Sequence, residues 1–282
     1  MYRNLMRDLM ENAKENISTV KKSIICFVLL TFAISGVIWF LMVSTGMTFA
    51  YNLLLMWTPG IAAIVTALIF FRSIKGFGWG PGKIKYLALG IVLPVLLSIC
   101  TYGLFWLIGG GLGTYTGKFG NLLIFSIIVS IFLGLGEEIG WRGFLVPQLA
   151  KLTNSFTEIG FLSGIIWALW HFPVILMGSY VAEVPLWWSL PIFFVGNILF
   201  AFVLAWFRLK SGSIWPVVLW HGLDNNMIKV FTPLFAGGTS AYYVGESGII
   251  TIIPMLILVI ILWYYRDRLP DLRIIKTDKP AG

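Results

Sequence analysis

Long apolar runs separated by short polar stretches set the character of this chain. Eight runs can be drawn, at about 23–44, 52–71, 86–108, 121–146, 156–178, 186–207, 214–231 and 248–265. Each is close to the ~20 residues an α-helix needs to cross a bilayer. Leu, Ile, Val, Phe, Trp and Gly fill them, without the polar/apolar alternation that a membrane β-barrel requires. The pattern predicts an all-α fold, a polytopic transmembrane helical bundle of about eight spans.

Composition agrees. Apolar residues make up 59% of the 282 residues and charged ones 11%, under half the charged fraction of about 25% in a soluble domain. Lys and Arg, 20 in all, are unevenly spread. Arg3, Arg7, Lys14, Lys21 and Lys22 precede the first run. Arg72, Lys75, Lys83 and Lys85 follow the second, Lys151 the fourth, and Arg208 and Lys210 the sixth. The tail holds Arg266, Arg268, Arg273, Lys276 and Lys279. Only Lys118 and Lys229 fall on the other side, and Arg142 lies inside a run. The positive-inside rule then gives N-in, C-in, in a plasma or inner membrane. The net charge of +8 reads as a topology signal, so membrane lipids are expected as partners and nucleic acid is not.

Residues 1–22 form a mixed-charge cytoplasmic segment with amphipathic helical character. No small-residue cleavage site closes the run after it, which reads as a retained first helix. Residues 23–265 form the bundle and 266–282 a solvated cytoplasmic tail. Gly76 to Gly82 reads as a flexible inner loop and Gly109 to Gly113 as an outer turn. Cys26 and Cys100 lack metal-ligand spacing and read as core residues.

Three polar motifs interrupt the apolar background. Gly136-Glu137-Glu138-Ile-Gly-Trp-Arg142-Gly143 lies in the fourth run. Helical spacing sets Glu138 and Arg142 on one face and turns Glu137 away by about 100°. Arg142 can thus neutralise Glu138 while Glu137 takes a proton from water. Trp167-x-x-x-His171 lies in the fifth run, with an aromatic ring one turn before the imidazole and Pro173 placed to kink or end the helix. His221-x-x-x-Asn225 lies in the seventh. A His and an amide on one face can serve a metal-bound water or an oxyanion. Each motif alone also fits a structural role: a buried ion pair, a core histidine, interhelical hydrogen bonding. Together they hold both histidines of the chain and a glutamate pair. One shared polar site explains them better than three separate packing roles, because ionisable groups in a bilayer are costly unless they meet. Glu158 reads as interfacial and Asn197 as a packing amide.

The order Glu-Glu-x-x-x-Arg, aromatic-x-x-x-His, His-x-x-x-Asn on successive apolar helices resembles the CPBP family of intramembrane proteases, which includes CAAX-prenyl endopeptidases and Abi or bacteriocin-immunity proteins. The match covers roughly residues 120–230, and Arg142-Gly143-Phe144-Leu145 continues it. Trp167 stands where the family usually has phenylalanine. The resemblance implies an intramembrane endopeptidase acting on a hydrophobic or lipidated peptide or protein. It implies Glu137 as activator of water, Glu138 and Arg142 as its motif partners, His171 as the second-motif histidine, and His221 with Asn225 as the third motif.

Two chemistries stay open. Glu137, His171 and His221 supply the ligand types of a catalytic zinc with a position left for water, though not in His-Glu-x-x-His spacing. Without metal, Glu137 and His171 would activate water directly while His221 and Asn225 hold the oxyanion. Two other functions compete: a non-catalytic immunity or scaffold protein of the same fold, and an ion-coupled transporter. Matched broken helices in both halves would mark the transporter, whereas these polar residues cluster in one half. The cavity is expected to open to the inner leaflet or cytoplasm. One mismatch of depth stands out. Glu137 and His221 fall toward the inner side, while His171 lies late in an outward-going run. Either 147–160 forms an interfacial elbow or the span limits are shifted.

Overall fold

A computed structural model of the chain describes residues 2–110, 121–177, 184–234 and 240–274. Among these the protein is helical throughout, with no strand. The order is α1 (Tyr2–Thr45), α2 (Phe49–Phe71), α3 (Ile84–Leu107), α4 (Asn121–Glu138), a π-helical stretch (Ile139–Leu145), α5 (Val146–Ala150), α6 (Phe156–Leu176), α7 (Leu186–Ser211), α8 (Trp215–Leu234) and α9 (Ile249–Tyr264). Each predicted span thus has its helical rod, with α4, the π stretch and α5 forming one. Among the described residues five helices are long and apolar enough to cross a membrane by length and composition: α1 from Asn16, α2, α3, α6 and α7.

Small residues draw the helices together around the glutamate pair. α4 packs between α2 and α8, and α6 packs on α7. A Cβ on Gly136 would come within 2.8 Å of the Met56 carbonyl oxygen, so α2 approaches α4 at the turn that carries Glu137. A Cβ on Gly222 would meet the Ile131 Cα at 2.5 Å. That contact lets α8 lie against α4 and carries His221 to the glutamates. In lipid, such close approach replaces the hydrophobic drive that water supplies elsewhere.

Several expectations change. The 121–146 span continues to Ala150 through the π stretch, and α6 begins at Phe156 after a short turn. No elbow over 147–160 is formed. Glu137 and His171 both lie about 20 Å from that turn at 1.5 Å per residue, which removes the mismatch of depth. His221 reaches the same level early in α8 because the α7–α8 turn is itself buried, at Ser213 and Ile214.

What buries that turn is the glycine-rich 76–82 segment, which is no flexible loop. Ile214 N–H donates to the Gly78 carbonyl, and the Trp215 indole N–H to the Trp79 carbonyl, at 2.9 and 2.7 Å. Phe77 packs on Phe144. Its glycines supply positive φ at Gly78 and Gly82 (+85° and +72°) and a close approach. Arg208, expected as a loop charge, is buried. Its Nε donates to the Arg142 carbonyl and its Nη2 to the Gly76 carbonyl, both at 2.9 Å. It thus caps a carbonyl in the π stretch and ties it to the 76–82 plug.

Several other basic residues lie near one another. Lys151 lies over the Phe71 ring, its carbonyl accepts from Ile274 N–H, and Lys210 donates to the Arg268 carbonyl. The ends of α2, α5, α7 and α9 therefore meet at one basic end of the bundle. Burial in apolar surroundings pushes the Lys151 amine below its usual range. The expected boundary at residue 22 is no break, since α1 runs through it. Cys100 is exposed on α3 and Cys26 is half-buried; a thiol is apolar enough to face lipid as well as core. Residues 111–113 of the outer turn, Lys118, Lys276 and Lys279 lie outside the described residues.

Candidate active site

Trp167 is the hub. Its indole N–H donates to Glu137 Oε2 at 2.8 Å. Its backbone carbonyl accepts from His171 Nδ1 at 2.9 Å. Its ring lies under the Arg142 guanidinium at 4.0 Å. His171 and His221 both pack against that ring, with centroids at 5.6 and 5.4 Å. The two imidazoles are therefore separated by no more than one shared indole. A carbonyl can only accept, so His171 carries its proton on Nδ1 and presents a lone pair at Nε2. Pro173 does not end α6, which runs on to Leu176.

Glu138 forms the second centre. Its Oε1 accepts from both Arg142 Nη1 and His221 Nδ1, each at 2.8 Å. The predicted pairing of Glu138 with Arg142 across one helical turn is present. The bond to His221 was not foreseen, since nothing in the spacing reports which helix α8 will touch. Glu137, Glu138, Arg142, His171 and His221 are all buried. Removing one partner of such a pair typically costs about 3–5 kcal/mol. Arg142 Nε and Nη2 and Glu138 Oε2 have no hydrogen-bond partner among the described residues. The indole face compensates part of the charge, a contact worth about 2 kcal/mol when desolvated.

Beside the histidines lies a cavity of about 640 Å³, open mouth included. His171 and His221 form one wall, and Phe193, Phe200, Ile252 and Met255 make most of the rest apolar. Asn225, one turn beyond His221, is half-buried and lines it, as the spacing predicted. Neighbouring Asn226 points elsewhere: its Nδ2 donates to Ser126 Oγ at 2.7 Å and ties α8 to α4. Interhelical bonding in this stretch therefore falls to Asn226. Two carboxylates outside the three motif patterns, Asp224 and Glu246, also line the cavity. Glu246 lies before α9, away from the basic end, and the cavity extends toward it. An opening on the basic side was expected; this cavity lies toward the other end. Asn197 also lines it, buried, and its Nδ2 has no hydrogen-bond partner among the described residues. The packing role expected for Asn197 is thus not what the fold gives it. Glu158 is exposed near the start of α6, at the end of the helix.

Glu137, His171 and His221 are the candidate zinc ligands. Among the described residues no group of three or more His, Cys, Asp or Glu side chains could hold a metal ion. His221 does show the carboxylate-to-imidazole bond that often backs a metal ligand, but the three side chains are not grouped as a ligand set.

Residues 119–227 match the family model for type II CAAX prenyl endopeptidases, Rce1-like. Over 237 residues the chain is 27% identical to a CAAX prenyl protease 2 of Methanococcus maripaludis, covering 74% of this chain and 85% of that one. The chain is thus similar to the CAAX-protease family over a segment that spans all three polar motifs. Its long apolar helices mark a multi-pass integral membrane protein.

Proposed function

We propose that the protein hydrolyses a peptide bond in a hydrophobic or lipidated substrate, with water activated by Glu137 and His171. The observation that carries this reading is the convergence of Glu137 and two imidazoles on Trp167, with Glu138 behind His221, at the edge of an apolar cavity. Glu137 holds one oxygen on the indole N–H and offers the other to water. His171 Nε2 accepts from the same water and orients it. Glu137 takes the proton, hydroxide adds to the scissile carbonyl, and the oxyanion is held by Asn225 and by His221 in its imidazolium form, with Nδ1–H on Glu138 and Nε2–H on the oxyanion. The C–N bond then breaks as the proton passes from Glu137 to the leaving amine. Water is consumed, and a new carboxyl and amine are released. With His171 neutral and His221 protonated, two carboxylates face one guanidinium and one imidazolium, and the cluster is balanced.

The relative's name suggests a C-terminal prenylated CAAX sequence as substrate, and the apolar cavity wall suits an isoprenoid or a hydrophobic side chain. A cytoplasmic membrane with the basic end toward the cytoplasm follows from the charge distribution. The test uses purified protein in nanodiscs and a fluorogenic farnesylated CAAX peptide beside its non-prenylated form. Wild type is expected to cleave the prenylated peptide, and Glu137→Gln to lose at least about a thousandfold in kcat. Cleavage is expected to survive prolonged chelation. Equal turnover by both proteins sinks the enzyme reading, and chelator-sensitive, zinc-restored turnover sinks the metal-free mechanism.

A further inference from the structure

Asn197 is a polar side chain that neither the motifs nor the mechanism above uses. It lies on α7, buried, in the cavity wall. Its Nδ2 has no hydrogen-bond partner among the described residues. Phe193 one turn before it packs on the His171 ring at 5.2 Å. Phe200 one turn after it packs on the His221 ring at 5.9 Å and on Trp167 at 5.6 Å. Residues three and four apart share a helix face, so the amide sits between two rings that each touch one histidine. It therefore faces the space where the reacting carbonyl would lie. A buried amide left unpaired is unfavourable and is seldom kept without a use.

We infer that Asn197 is a substrate-binding residue whose side-chain amide pairs with a main-chain amide of the substrate next to the scissile bond. The inference rests on the peptidase reading. The ligand chemistry follows from the group itself. A carboxamide offers one donor and one acceptor side by side, the complement of a peptide C=O and N–H. It is neutral, so it suits a backbone better than a charged side chain. The apolar residues around it would hold the neighbouring side chains of the substrate. Such a bond fixes the register of the chain against the catalytic water, the kind of positioning that raises reaction rates.

The experiment measures kcat/KM for wild type, Asn197→Ala and Asn197→Leu on the farnesylated CAAX peptide and on a set with single N-methylated amides flanking the cleaved bond. Both variants are expected to lose roughly 10- to 100-fold on the parent peptide, as for a lost substrate hydrogen bond. At one position, N-methylation is expected to cost wild type a similar factor and the variants almost nothing more. The melting temperature is expected to hold, since Nδ2 has no hydrogen-bond partner to lose among the described residues. Unchanged kcat/KM, fully additive losses at every position, or a lower melting temperature would overturn the inference and leave the peptidase reading intact. Absence of any Glu137-dependent cleavage overturns both.

Discussion

His171 and His221 sit one turn from a motif partner on their own helices, yet the fold gives them different company. On α6, His171 Nδ1 donates to a backbone carbonyl of the same helix. That bond fixes a tautomer and adds no charge. On α8, His221 Nδ1 meets the Glu138 carboxylate of α4, which Arg142 also holds. That bond crosses between helices and places a negative charge behind the ring, where it can stabilise an imidazolium. The difference assigns roles: His171 accepts from water and His221 donates to the oxyanion. The His221 bond also ties α8 to α4.

Substitutions can break this contrast. His171→Ala is expected to give the largest loss, about a thousandfold in kcat. Full turnover by this variant would leave the water without its second acceptor and undo the assignment. Glu138→Gln is expected next. It removes the charge that serves both Arg142 and His221, so about 3–5 kcal/mol of stability should go, together with roughly a hundredfold in kcat. Denaturant unfolding in detergent beside kinetics reads both effects. A variant as stable as wild type would show that Glu138 does not tie α8 to α4. Asn225→Ala is expected to cost about a hundredfold in kcat with KM little changed, the usual signature of a lost oxyanion donor. A rise in KM alone would make Asn225 a binding residue and leave His221 as the sole donor.

Much of this was legible before any coordinates. Uniform apolar runs fix helices and their number, and ionisable residues inside them can only be a site or an expensive packing device. Spacing gave the Glu138–Arg142 pair because that contact is internal to one helix. It could not give the Glu138–His221 bond, which depends on Gly222 letting α8 approach α4. Composition misread two segments for a similar reason. The glycines of 76–82 look flexible in isolation but serve positive φ and close packing beneath α8. Arg208 looks like a topology charge until its hydrogen bonds to the Arg142 and Gly76 carbonyls are seen. Asn197 was misread for want of a partner, since a lone amide in an apolar run shows neither where it points nor what it lacks.

The smallest expected effect is the most specific. Trp167→Phe keeps an aromatic ring beneath Arg142 and between the two imidazoles, and it installs the residue usual in the family. It removes only the indole N–H that holds Glu137 Oε2 at 2.8 Å. A hydrogen bond to a charged group contributes about 1.5–3 kcal/mol, but Glu137 can re-form part of that bonding with cavity water. The expected loss is therefore near tenfold in kcat. KM should hold, since the indole N–H touches the carboxylate and not the substrate. Trp167→Ala makes the control: it also deletes the ring shared by both histidines and should cost a further 3–5 kcal/mol or so of stability. If Trp167→Phe turns over like wild type, Glu137 needs no positioning from α6, and Trp167 joins the two helices through its ring alone.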